Sequence, residues 1–121
     1  MTNKRLPDDM PITTLCQELR QRAAALHGRE RSFVTRAANA LLNVPPRNEN
    51  GESAETVGAL RRMSVTLLRR VPGVGRKALL FTLETIDHPH WRIAREYTVQ
   101  YPHDGYFSRA RFERLTSALG N

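Results

Sequence analysis

A chain of 121 residues, 40% of them apolar and 26% charged, is long enough to fold as one domain around a real core without disulfides or metal. Its formal net charge of +7 and pI near 10.7 call for an acidic partner; nucleic acid is the commonest, and an anionic membrane surface or an acidic protein would also fit. The lone Cys16 excludes an intrachain disulfide and fits a reducing compartment, and with no apolar run of spanning length and no signal-peptide core the expectation is a cytoplasmic protein without a membrane partner.

Residues 1–10 are polar, carry Pro7, Asp8 and Asp9, and read as a mobile leader or a loosely packed turn without function. Ile12, Leu15, Cys16, Leu19, Ala23 and Leu26 then recur at helical spacing and predict a helix over about 13–27, with Thr14 and Gln17 as a capping box and Gly28 as its C-cap. Cys16 on that apolar face reads as a buried thiol, while Arg20, Arg22 and Arg29 lie off it on a solvated face. A second helix over about 32–43 turns Phe33, Val34, Ala37, Ala38, Leu41 and Leu42 inward. Its outer face carries Arg36 and Asn39 one turn apart, a guanidinium fork and an amide that suit phosphates and groove edges. The run 44–51 is a loop by composition, Ser53 is expected to cap a short helix that turns Val57 and Leu60 inward, and Ser64 to start another over 65–71.

The stretch from Leu67 to Phe81 places Val-Pro-Gly-Val-Gly between two apolar helical runs. Pro72 stops the first run, Gly73 supplies the positive φ of the reversal, Val74 plugs the turn, and Gly75 lets another backbone approach closely. Arg76 and Lys77 open the next helix, which runs to about Asp87 with Leu79, Leu83 and Ile86 inward, and Ala78 leaves room for packing. This is the pattern of a helix-hairpin-helix. Amides from Gly73 to Arg76 would face a phosphate at the positive end of the helix dipole, where two cations oppose that dipole and a bound polyanion would offset the conflict. The plain alternative is a Gly-rich turn between core helices with solvated cations.

His88, Pro89, His90 and Trp91 open a segment that reads as helical over 93–97, after which Tyr97, Val99 and Tyr101 alternate as a short strand or extended arm. Pro102, His103, Asp104 and Gly105 form a turn. A terminal helix over about 108–119 turns Phe112, Leu115 and Leu119 inward and Arg109, Arg111 and Arg114 outward, and is expected to pack on the first helix. The histidines, with Asp87 and Asp104, match no closed zinc pattern, so neither a metal nor another cofactor is expected. Trp91, Tyr97, Tyr101 and Phe107 are either a stacking platform or a cover for the core. The carboxylates are scattered without a catalytic pair, so no enzyme is expected.

Three segments in one order carry a resemblance: Arg36-Ala37-Ala38-Asn39-Ala40-Leu41, Thr56-Val57-Gly58-Ala59-Leu60, and the run from Leu67 to Leu79. Residues 31–87, about half of the chain, resemble the C-terminal domain of the bacterial RNA polymerase α subunit. The resemblance implies a SAM-like, all-α compact bundle of short helices that binds the minor groove of double-stranded DNA, preferring A/T-rich sequence, and touches sigma factor and activators. It puts Arg36 on the family's dominant DNA-contacting arginine, Asn39 on its neighbouring asparagine, and Gly75 and Lys77 on its hairpin contacts. Ala78 and Phe81 stand where the family has a serine and a glutamate, and residues 46–54 are an insertion.

The expectation is thus a single all-α domain, 1–121, made of a core over 31–87, an N-terminal helix and leader over 1–30, and a C-terminal extension over 88–121. It would be a non-enzymatic, weakly specific or non-specific DNA-binding protein linked to transcription, using Arg36, Asn39, Gly73, Gly75, Arg76 and Lys77, with some of Arg61, Arg62, Arg69 and Arg70 widening the surface. The alternative is an interaction module that binds RNA polymerase, sigma factor or a regulator through Phe81 and the insertion.

Overall fold

The computed structural model describes residues 5–72, 74–104 and 107–119, which form seven helices without a named strand. The architecture is all-α. The elements are α1 (Ile12–Ala23), α2 (Arg29–Asn43), α3 (Val57–Arg62), α4 (Val65–Arg69), α5 (Arg76–Thr85), α6 (Trp91–Gln100) and α7 (Arg109–Ala118). α1 packs on α2, α2 on α5, α5 on α4 and α6, and α6 on α7. The terminal helix therefore lies mainly against α6, and the expected pairing of α7 with α1 is replaced by this chain of neighbours.

α1 and α2 form where apolar residues recur every three to four positions. Leu15, Cys16, Leu19 and Ala23 of α1 are buried against Val34, Ala37, Ala38 and Leu41 of α2. The small Ala38 lets the helices approach until the Cys16 thiol donates to the Ala38 carbonyl at 3.2 Å. α1 is shorter than its pattern: it starts after Pro11 with no side-chain cap, so the Thr14 capping box does not form, and it ends at Ala23. Ala25 and Leu26 tighten the exit with bonds to Arg22 and Ala23, and Gly28, with φ +59°, stands before α2 instead of closing α1.

The first residues are part of the fold, which corrects the loose leader for the described residues 5–10. Leu6 is buried, Val57 and Gly58 donate to the Met10 and Asp8 carbonyls at 2.9 and 2.8 Å, and Pro11 bridges Thr56. Gly58 is required here, since a Cβ would lie 2.9 Å from Asp8 Cβ. Arg61 is buried as well: its Nε donates to Ile86 O and its Nη1 to Asp8 Oδ1, both at 2.6 Å, and its Nη2 donates to Leu6 O. It is an internal tie and widens no surface.

The loop before α3 is also ordered. Arg47 bridges Ser53, and Asn48 Oδ1 accepts from the amides of Asn50 and Glu52 at 2.9 and 3.0 Å. Ser53 is committed to that bridge, so Thr56 caps α3 instead, accepting from Ala59 N at 3.2 Å. Ser64 caps α4 as its position suggests, accepting from Leu67 N at 3.2 Å.

α5 ends at Thr85, where Asp87 takes φ +51° and turns the chain into buried His88. The short strand or extended arm expected over 97–101 is instead helix as far as Gln100, with Tyr101 as its C-cap. Ile93, Ala94 and Tyr97 share a buried face of α6, while Val99 is 68% exposed. Tyr97 and Phe107 are fully buried with ring centroids 4.8 Å apart, and Phe112 packs beside both, so the aromatics cover the core. Ser108 caps α7, whose Phe112 and Leu115 face in; Leu119, expected inward, is 51% exposed just past the helix end. Among the described residues no helix is long and apolar enough to cross a membrane.

Candidate functional site

α2 and α5 lie side by side, and this brings Arg36 to the start of α5. Arg36, Gly75 and Lys77 are all exposed, and with Phe33, Arg76 and Ala78 they line one hollow of about 300 Å³. The Arg36 guanidinium sits 6.0 Å from the centre of the Phe33 ring, one helical turn back on α2, which steadies it over the hollow. Phe33 packs against the core as its place in the apolar pattern implies, and its i, i+3 relation to Arg36 signals this second use.

The turn between α4 and α5 is built from inside. Val71 and Val74 are buried, Val74 donates to Val71 O at 3.2 Å, and half-buried Arg69 donates to Val74 O at 3.0 Å. Arg69 thus secures the turn, while Arg62 and Arg70 are exposed. Gly73, a candidate contact, lies outside the described residues. Gly75 caps α5 in an extended conformation, φ −81° and ψ 176°, which any residue can adopt. No atom beyond its chain neighbours lies within 4 Å of where its Cβ would be, so the expected close approach of the chain's own backbone does not occur. The space beside Gly75 is open.

The other two candidates have partners within the chain. Arg20 Nη2 donates to Asn39 Oδ1, which holds the amide across from α1 on the exposed face of α2. Arg76 turns toward the C-terminal segment, donating from Nη1 to Pro102 O at 2.7 Å with Tyr101 O and Asp104 O at 3.5 and 3.4 Å. Its guanidinium secures the 101–104 turn, in place of the outward role expected for it. The C-terminal segment therefore closes one side of the turn at Arg76 and leaves Gly75 and Lys77 exposed.

A second cleft, of about 770 Å³, adjoins the first at Arg36 and Gly75 and continues past Arg70 to Ser108 and Arg109. No carboxylate is among the residues that line either one. An array of cations over open backbone, with no carboxylate in its lining, can hold anions; among the described residues no cluster of His, Cys, Asp or Glu could hold a metal ion. Comparison with protein-family models, with curated proteins and with solved structures gives no match.

Proposed function

We propose that this protein binds double-stranded DNA through its phosphate backbone, using Arg36, Lys77 and the open main chain at Gly75, in the manner of a helix-hairpin-helix formed by α4, the 70–75 turn and α5. The observation that carries the reading is the convergence of exposed Arg36, from α2, with Gly75 and Lys77 on one hollow free of carboxylates. A net charge of +7 supports it by drawing the chain to a polyanion. Phosphate contacts position a protein on DNA without reading bases, so weak sequence preference and steep salt dependence follow. A fold like the polymerase α C-terminal domain, a role in transcription and contact with RNA polymerase or sigma factor rest on the resemblance of residues 31–87. The protein would then add affinity, placing itself or a partner on DNA.

The test is a gel-shift series at several salt concentrations with Arg36→Ala and Lys77→Ala. Each variant should weaken binding and reduce the salt slope by about one. Unchanged affinity and slope in both would remove the proposal.

A second reading has one observation of its own. Phe81 stands with Phe33, Leu80 and Trp91 around an apolar groove of about 290 Å³, which suits a protein partner. The insertion does not share it; Glu49 opens onto a different groove, beside Ser64 and α7. Retention of a partner from nuclease-treated lysate by the native protein, lost in Phe81→Ser, would favour the adaptor.

A further inference from the structure

We propose that the C-terminal extension is part of the binding surface: Arg109, at the start of α7, forms with Arg70 a second cationic bank across the cleft from Arg36. The same DNA strand that rests on Gly75 and Lys77 is held from both sides. The inference rests on the phosphate-binding reading and adds to it a function for residues 107–109.

Arg36 and Arg109 come from helices far apart in the chain, yet both line the cleft over the 70–75 turn, with Arg70 beside them. All three are exposed and no carboxylate lines the cleft. Arg109 Nε lies 3.0 Å from Glu113 Oε1, but the two side chains are 71% and 66% exposed, and so open a pair exchanges readily for a phosphate. Arg70 makes no ion pair among the described residues. Arg70 and Arg109 also line the adjoining groove that holds Glu49 and Glu113, so carboxylates stand behind this bank and outside the cleft itself, and like charges gathered at its rim still favour a bound anion.

The backbone leading to Arg109 is an independent observation. Phe107 adopts φ +54°, a left-handed conformation that a bulky side chain rarely takes. Its ring is clamped against Tyr97 and Phe112, and the next amide, Ser108 N, donates to Tyr97 Oη at 2.9 Å. Tyr97 Oη in turn donates to Asp104 Oδ2, and Arg76 holds the carbonyl of Pro102. Packing thus fixes Phe107 and Ser108 in place, and Arg109, the next residue, stands on the rim of the cleft. Strain maintained by the surrounding structure next to exposed charge is characteristic of a binding site.

The test uses the full chain, a short labelled DNA duplex and a salt series. Arg70→Ala and Arg109→Ala should each lower the salt slope by about one, as one phosphate contact does. Arg114→Ala, an exposed α7 residue that lines no part of the cleft, removes the same charge and should leave the slope unchanged. Arg109→Lys should retain most of the slope, which separates lost charge from any fraying of α7. If Arg36→Ala and Lys77→Ala lower the slope while Arg70→Ala and Arg109→Ala do not, the second bank is overturned and the first site stands. If Arg114→Ala acts as strongly as Arg109→Ala, net charge alone is responsible and the second bank is again overturned. If none of the five has an effect, both readings fall.

Discussion

The guanidinium of Arg61 and the carboxylate of Asp8, 53 residues apart in the chain, meet at 2.6 Å and close the N-terminal segment onto α3. The same guanidinium serves Ile86 O and Leu6 O, so one buried cation ties three parts of the chain together. Arg61→Met keeps the apolar volume and leaves two carbonyls without their donor, at a cost of about 3 kcal/mol in a urea melt. Asp8→Asn should cost less, because Asp8 is largely exposed and the amide oxygen can still accept. The hydrogen bond from Arg61 holds the Asp8 carboxyl below its usual range; its contribution is present at neutral pH and is lost as the pH falls through that lowered value.

His88 gives a second pH effect at milder acidity. Its Nε2 donates to Met63 O at 2.7 Å and its Nδ1 accepts from His90 N at 3.0 Å, so the buried ring is neutral with both nitrogens used. Burial, as the main cause, depresses its pKa below the usual 6.5. Between the two values the unfolded chain binds more protons, so stability is full above about pH 6.5 and declines as the pH drops below it. Thermal melts at pH 7.5 and 5.5 should show this fall, and His88→Asn should flatten it while lowering stability at pH 7.5. An equal fall in the variant would show that His88 is not the group responsible.

Gly58→Ala should destabilise by about 1–3 kcal/mol, since the new methyl meets Asp8 Cβ at 2.9 Å and Asp8 O at 3.0 Å, and relief requires moving backbone. A melting temperature equal to that of the parent would mean that the N-terminal segment yields at little cost.

Gly75→Ala separates the fold from the site. The chain leaves the position open and its φ suits alanine, so stability should stay within about 0.5 kcal/mol of the parent. DNA affinity should nevertheless fall in a gel shift, because the methyl occupies the space a phosphate would approach. Full affinity in the variant would mean that the space is unused.

Much of this architecture was legible locally. The stripes of Leu15, Cys16, Leu19 and Ala23 and of Val34, Ala37, Ala38 and Leu41 are visible as period, and Ser64 and Ser108 announce the helices they cap. Local signals misled where two periods overlapped: Tyr97, Val99 and Tyr101 alternate, but Ile93, Ala94 and Tyr97 are also a helical face, and burial chose the helix. What no window could show were bonds across the chain. Arg61 and Arg76 looked like surface cations because their acceptors, Leu6 O and Pro102 O, lie 55 and 26 residues away. The candidate site was half legible: α2 does pack beside α5, while the place of Arg109 on the rim follows a left-handed backbone conformation at Phe107 that its side chain disfavours.

The bond from Arg76 to the Pro102 carbonyl makes the tail an accountant of charge. With the tail seated, the rim shows Arg109 to solvent and keeps Arg76 engaged; a chain shortened after Gln100 would release Arg76 and forfeit Arg109. At the rim Arg76 would stand in for Arg109, while Arg111 and Arg114 leave with the tail, so the shortened form would grip a polyanion from a different direction and with fewer cations.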